Sequence, residues 1–218
     1  MEIFPIAHIK NDFKSKFSIP RQSGICDIES EIIFEKEYGD VNAIRGLEEF
    51  SHIWLIWGFS ENVRDNHSLT VRPPRLGGNT RMGVFATRSP FRPNNLGMSC
   101  VRVKSIDGGV ITVLGADLMD GTPIYDIKPY IPYSDSHPDA LGGFTDKYEF
   151  SPLKVEADES VIKKAGEKWE SLKTVLTNDP RPAYQNDSER IYGFAFADFE
   201  VKFRVDSDVL TVLEIENE

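Results

Sequence analysis

The apolar positions of this chain fall mostly in short runs broken by turn residues. Glu2 to Ile9 reads as a β-strand, and Pro20-Arg21-Gln22-Ser23-Gly24 marks a loop after it. Asp40 is placed to cap a short helix through Ala43, Ile44 and Leu47. Ile53-Trp54-Leu55-Ile56-Trp57-Gly58-Phe59 is apolar at every step except the glycine, which predicts a strand buried on both faces. Gly83 to Thr87 can form a brief strand, and Val101 to Val103 pairs with Val110 to Leu114 across Asp107-Gly108-Gly109, a hairpin signal. Asp120-Gly121-Thr122-Pro123 makes another turn, leading into a strand from Ile124 to Tyr130. Many short strands with turn signals between them predict a barrel or a curled sheet.

The pattern changes after Tyr148. Val161, Ala165, Trp169, Leu172 and Leu176 follow helical spacing, with Asp158 or Ser160 as cap and Asn178-Asp179-Pro180 as stop, which predicts one long helix. Phe199, Val201, Phe203 and Val205 then alternate with charged residues, and Asp206-Ser207-Asp208 turns the chain into Val209 to Ile215, a second hairpin. The chain therefore divides into a mainly-β body, residues 1–148, and a small α+β appendage, residues 149–218, a length suited to one ordinary domain and an addition. No internal repeat interrupts this plan.

Charge alters the picture. A formal net charge of -10 argues on its face against a nucleic-acid partner. Yet no acidic residue lies between Asp65 and Asp107, a window that holds Arg72, Arg75, Arg81, Arg88, Arg92, Arg102 and Lys104. Positive charge concentrated in one stretch of an acidic protein points to an anionic partner. Four prolines and four glycines between Val71 and Ser99 make this stretch a loop system with at most brief strands. Cys26 and Cys100 show no paired or metal-ligand spacing, and His8, His52, His67 and His137 are scattered, so neither a disulfide framework nor a metal site is expected. The chain opens without a leader-like progression, and its longest apolar run is too short to span a bilayer, so a cytoplasmic protein with no membrane association is expected.

Gly77-Gly78 and Gly83 among arginines suggest an oxyanion cradle, but no Gly-Lys-Ser/Thr follows and no GxGxxG follows a strand, so neither a P-loop nor the doubly wound Rossmann fold is supported. The plainer reading is a proline-stiffened loop whose arginines pair with the protein's own carboxylates. No Gly-x-Ser-x-Gly elbow is present. Asp120 and Asp126 are positioned either to bind a polar ligand or to cap turns, and Asp179-Pro180-Arg181-Pro182-Ala183-Tyr184 either stops the helix or offers an arginine and an aromatic to a phosphate and a base.

Long motifs then resemble a known family. RPPRLGGNTRMGVFATRSPFRPNNLGMS, with PRQ and RGLEEFSHIWLI before it, DLMDGTPIYDIKPYIPYSD after it and DPRPAY in the tail, is similar to the TrmO family, also called YaeB-like or TsaA-like proteins, over most of the chain. The resemblance implies a β-barrel methyltransferase core with a small C-terminal helix-and-hairpin domain. It also implies a homodimer and an S-adenosylmethionine-dependent methylation of N6 of N6-threonylcarbamoyladenosine beside the tRNA anticodon, so the partner would be an anticodon stem-loop. Carried over by motif, the cofactor contacts would be Pro20, Arg21 and Gln22, then Ser60 and Glu61, Arg88, Leu96, and Asp120, Gly121, Thr122 and Pro123. Many relatives carry His-Gln where this chain has Ser60-Glu61, so backbone contacts there would survive while side-chain contacts differ. Arg21 or Arg88 would pair with the cofactor carboxylate, leaving the window's other arginines and Arg181 for tRNA phosphates.

Direct in-line methyl transfer needs only the methyl and the acceptor nitrogen held at attack distance in a water-poor pocket. The acceptor lone pair is conjugated to ring and carbamoyl, so a base is expected as well. Asp126 is the nearest sequence candidate, but it shares a strand face with Lys128, and no catalytic residue is assigned. The competing class is a non-catalytic RNA-binding module that grips phosphate with the same loop.

Overall fold

The computed structural model describes residues 2–62, 68–73, 80–147, 151–181 and 187–217. The expectations placed on His67, Arg75, Gly77-Gly78 and Pro182 to Tyr184 lie outside the described residues.

Six strands close into a barrel: β1 (Ala7–Lys10), β2 (Glu29–Phe34), β3 (His52–Gly58), β6 (Leu96–Asp107), β7 (Val110–Leu114) and β8 (Pro123–Pro129), ordered β1-β2-β7-β6-β3-β8. Every pairing in it is antiparallel. Alternation drives the closure, since every second residue of a strand faces inward. Ala7, Ile9, Ile32, Ile53, Leu55, Trp57, Val101, Ile111, Val113 and Ile124 fill the interior, and each fully buried large side chain contributes about 1.5–3 kcal/mol. The β6–β7 hairpin turns at Gly108 and Gly109, whose φ values of 55° and 85° supply the left-handed backbone of a tight hairpin turn. A ribbon of β4 (Thr70–Val71) and β5 (Met82–Gly83) projects from the β3–β6 connection.

The second layer is a four-stranded sheet of β9 (Lys154–Ala157), β10 (Tyr192–Phe196), β11 (Phe199–Asp206) and β12 (Val209–Asn217), ordered β10-β11-β12-β9. Two helices, α2 (Glu159–Ala165) and α3 (Trp169–Thr177), contribute Val161, Ala165, Trp169, Leu172, Val175 and Leu176 to its core. That core also takes Phe13, Cys26 and Ile28 from the β1–β2 connection.

Several expectations are corrected. The first strand is shorter than expected, and β2 carried no sequence expectation because its buried residues, Ser30 and Ile32, alternate with Glu29 and Glu31. Asp40 caps a turn rather than a helix; only a single 3-10 turn, Leu47–Glu49, follows it, because Gly46 adopts φ 86°. The β3 run is buried on one face and half-buried on the other up to Trp57, because Trp54 and Ile56 lie on the outer wall. Val84–Ala86 is a 3-10 turn, with strand pairing confined to Met82–Gly83. The long helix is broken at Gly166, whose φ of 55° ends α2 before a 3-10 turn restarts the path into α3. The one-turn helix α1 (Pro132–Asp135) closes the barrel side of the chain.

Candidate active site

Antiparallel order places the connections after β1, β3 and β7 at one rim of the barrel. The β1–β2 connection brings Pro20, Arg21 and Gln22. The β3–β6 connection brings Ser60, Glu61 and Arg88, with Leu96 opening β6; the β7–β8 connection brings Asp120, Gly121 and Thr122, with Pro123 opening β8. Residues spread over a hundred positions of sequence thus share one end of the fold.

Hydrogen bonds knit these segments together. The Arg88 guanidinium donates to Gln22 Oε1 at 2.6 Å, and Gln22 Nε2 donates to the Arg21 carbonyl at 2.5 Å. Arg21 Nη2 donates to the carbonyls of Asp179 and Arg181 at 3.0 and 3.3 Å, so the C-terminal layer orients the 20–24 loop. Below it a cavity of about 110 Å³ is lined by Phe17, Pro20, Arg21, Asn178, Asp179 and Pro180. Lys16 Nζ reaches the Glu61 carbonyl at 2.7 Å, drawing the Ser60-Glu61 turn toward the same loop.

Asp120 performs structural work. Its carboxylate accepts from the Asn11 amide at 2.8 Å and from Lys14 Nζ at 2.7 Å, while the Gly121 amide donates to the Ile9 carbonyl at 2.8 Å. The 120–123 turn is thereby stitched to β1, and Thr122 is buried.

Sequence reading missed Asp117. Ala116 and Leu118 on either side are buried in the barrel core, which turns Asp117 toward the rim loops. Ser99 Oγ donates to Asp117 Oδ1 at 2.5 Å and accepts from Trp57 Nε1 at 2.9 Å. An indole N–H can only donate, so the serine proton must point at Asp117. Burial pushes the Asp117 carboxyl above the usual carboxylate range, opposed by the Ser99 hydroxyl, its own amide, the Arg88 charge and the Ser23 amide. The available signal was an acid alternating with small and apolar residues just after a strand, too weak to single out.

The cations of the acid-free window are not uniformly available, because acids reach them from elsewhere in the chain. Arg102 pairs with Asp27 at 2.7 Å, and Lys104 pairs with Glu29. Arg92 Nη1 donates to the Thr87 carbonyl at 3.0 Å and braces its own loop. Arg181 makes two bonds to Asp179, at 2.8 and 3.0 Å, and is nearly buried, so it is not free for phosphate. Among the described cations of the window, only Arg72 and Arg81, exposed just after β4 and just before β5, lack a partner among the described residues. Asp126 pairs with Lys128 at 2.9 Å on the outer wall. No group of three or more His, Cys, Asp or Glu among the described residues is placed to hold a metal, and no described helix is long and apolar enough to cross a membrane.

Comparison with known proteins decides the family. The model of the tRNA-methyltransferase O N-terminal domain matches residues 8–136, and that of the TrmO C-terminal domain matches residues 151–218. The chain belongs to the TrmO family. Within this family it is 40% identical to the tRNA (adenine(37)-N6)-methyltransferase of Escherichia coli K12, over 97% of this chain and 96% of the relative. It is 38% identical to a putative S-adenosylmethionine-dependent methyltransferase, RcsF, of Pseudomonas aeruginosa, over 98% of this chain and 96% of that one. The crystal structure of TrmO from Pseudomonas aeruginosa superposes with a TM-score of 0.80 at 30% identity, covering 100% of this chain and 99% of the other. The barrel with its helix-and-sheet layer is thus the TrmO fold, as the resemblance implied.

Proposed function

We propose that this protein is an S-adenosylmethionine-dependent methyltransferase that methylates N6 of adenosine 37 of tRNA, with N6-threonylcarbamoyladenosine as the modified base. The observation that carries this reading is the full-length match to the tRNA (adenine(37)-N6)-methyltransferase of Escherichia coli. The rim supports it chemically. A cofactor of this kind needs a partner for its carboxylate, apolar walls for its adenine and a site that excludes water. Arg88, braced by Gln22, offers the first; Leu96 and the Trp57–Phe59 pair, ring centroids 4.3 Å apart, offer the second. Buried Ala116 and Leu118 close the barrel mouth beneath.

Bound there, the cofactor supplies the methyl group. The chain's part is placement: the contacts at Pro20, Arg21, Gln22, Ser60, Glu61, Arg88, Leu96, Asp120, Gly121, Thr122 and Pro123 hold the donor, while the anticodon stem-loop is brought alongside. Arg21 is half-buried with Nη2 held by two carbonyls of the C-terminal layer, whereas Arg88 is exposed, so the cofactor carboxylate falls to Arg88. Arg72 and Arg81 are suited to phosphates on that approach. The working unit divides into a cofactor-binding barrel, residues 1–148, and a C-terminal domain, residues 149–218. A homodimer in the cytoplasm completes the reading; Phe85, 74% exposed, and Met98, 56% exposed, are apolar surface that a second copy would cover.

The test is mass spectrometry of nucleosides from tRNA incubated with protein and cofactor. A new methyl on the threonylcarbamoyl base is expected. Its absence, together with no rise in melting temperature on adding cofactor, would favour a non-catalytic RNA-binding module instead.

A further inference from the structure

Asp117 stands where all the rim segments meet. Its carboxylate accepts from the Ser99 hydroxyl of β6 and lies in the field of the Ser23 amide, on the loop that carries Gln22, and of Arg88 from the β3–β6 connection. Trp57, three residues before the Ser60 turn, fixes Ser99 from behind, and Asp117 itself lies three residues before the 120–123 turn. The Gly24 amide donates to the Gly115 carbonyl at 2.8 Å, which pins the 20–24 loop against the Asp117 segment.

Two other acids of the rim connections have cation partners: Asp120 pairs with Lys14, and Asp27 with Arg102. Among the described residues Asp117 makes no ion pair within contact distance, and the guanidinium near it spends Nη1 on Gln22. A carboxylate has about four acceptor positions, and among the described residues only the Ser99 hydroxyl lies at hydrogen-bond distance, so room remains for a further donor. A half-buried carboxylate short of a donor, beside a guanidinium that faces solvent, is the complement of a zwitterion: one group takes an ammonium and the other a carboxylate. A ligand bearing a carboxylate alone, such as the threonyl group of the acceptor base, would meet the negative charge of Asp117 unfavourably.

Resting on the reading of the rim as an S-adenosylmethionine site, we propose that Asp117 binds the α-ammonium of the cofactor's methionine half while Arg88 binds its α-carboxylate, so that the pair selects an amino-acid head group. The elevated proton affinity of Asp117 fits this role, because an arriving ammonium relieves an under-solvated carboxylate.

Titration calorimetry tests it with S-adenosylhomocysteine, which carries the head group, and methylthioadenosine, which lacks it. Asp117→Asn should weaken S-adenosylhomocysteine about ten- to a hundredfold, as expected for losing a charged hydrogen bond, and leave methylthioadenosine within about twofold. Equal weakening of both ligands, or no weakening of either, overturns the proposal. The unmutated protein gives an independent arm: the desamino analogue of S-adenosylhomocysteine should bind about ten- to a hundredfold more weakly than the parent, and equal affinity would overturn the assignment even if the variant does not fold. If unmutated protein binds none of these ligands nor S-adenosylmethionine itself, the reading of the site fails, rather than the role of Asp117 within it.

Discussion

The barrel and the C-terminal sheet solve the same burial problem differently. The barrel closes its hydrogen-bond ladder on itself, and its core comes from residues 7–124, which leaves one open rim free for loops. The C-terminal sheet has two edges and one helix-covered face, and it completes its core with Phe13, Cys26 and Ile28 from the far end of the chain. The segment 11–28 therefore belongs to the barrel by sequence and to the other layer by packing. Since the same segment carries Pro20, Arg21 and Gln22, the second layer helps shape the candidate site at the rim. Arg21 makes the link explicit, tying the loop to the Asp179 and Arg181 carbonyls in the segment after α3.

The largest test of this contrast is to break the shared core. Phe13, wholly buried and against Phe196 at 6.4 Å between ring centroids, should cost about 3–5 kcal/mol when replaced by alanine, read by urea denaturation. If 11–28 is the bridge, Phe13→Ala should also weaken cofactor binding, although the Phe13 side chain itself packs into the C-terminal core. Smaller is the effect of overpacking the barrel mouth. A Cβ at Gly97 would overlap the Trp57 indole, so Gly97→Ala should cost about 1–3 kcal/mol and perturb tryptophan fluorescence without touching the C-terminal layer.

Next come the cations. Arg72→Ala and Arg81→Ala should each lower tRNA affinity several-fold and reduce the salt slope of binding by about 1. Arg102→Ala and Lys104→Ala should leave that slope nearly unchanged, because Asp27 and Glu29 already neutralise them. The smallest effect distinguishes the two cysteines. Burial, then the Asp27 charge, pushes the Cys26 thiol from 9.0 to about 11, so at mild alkaline pH it should resist alkylation in the folded protein and react only on unfolding. Half-exposed Cys100 should label first. The sign for stability follows: the unfolded thiol ionises near 9.0 while the folded one holds its proton, so this contribution is whole below pH 9.0 and is lost as pH rises toward 11.

Much of the fold is legible in local pattern. The 107–109 hairpin and the final hairpin follow from period-two alternation and turn residues, which act over a few positions. Local pattern failed at β2, where glutamates on an outer wall masked a strand, and at Gly166, where one glycine split a helix whose apolar spacing continues through it. Resemblance in long motifs named the rim residues, yet it passed over Asp117, which gains its meaning only from Ser99, Ser23 and Arg88 around it.

By itself, then, the sequence determined the strand-rich body, the α+β tail and the family, because alternation, turn chemistry and long motifs are properties of neighbouring residues. Only the tertiary structure decided which cations are free, that Asp117 is drawn in among the rim loops without an ion pair among the described residues, and which loop the second layer holds. Those outcomes depend on groups that are distant in the chain and meet within hydrogen-bond reach, where Coulomb energy and desolvation are settled.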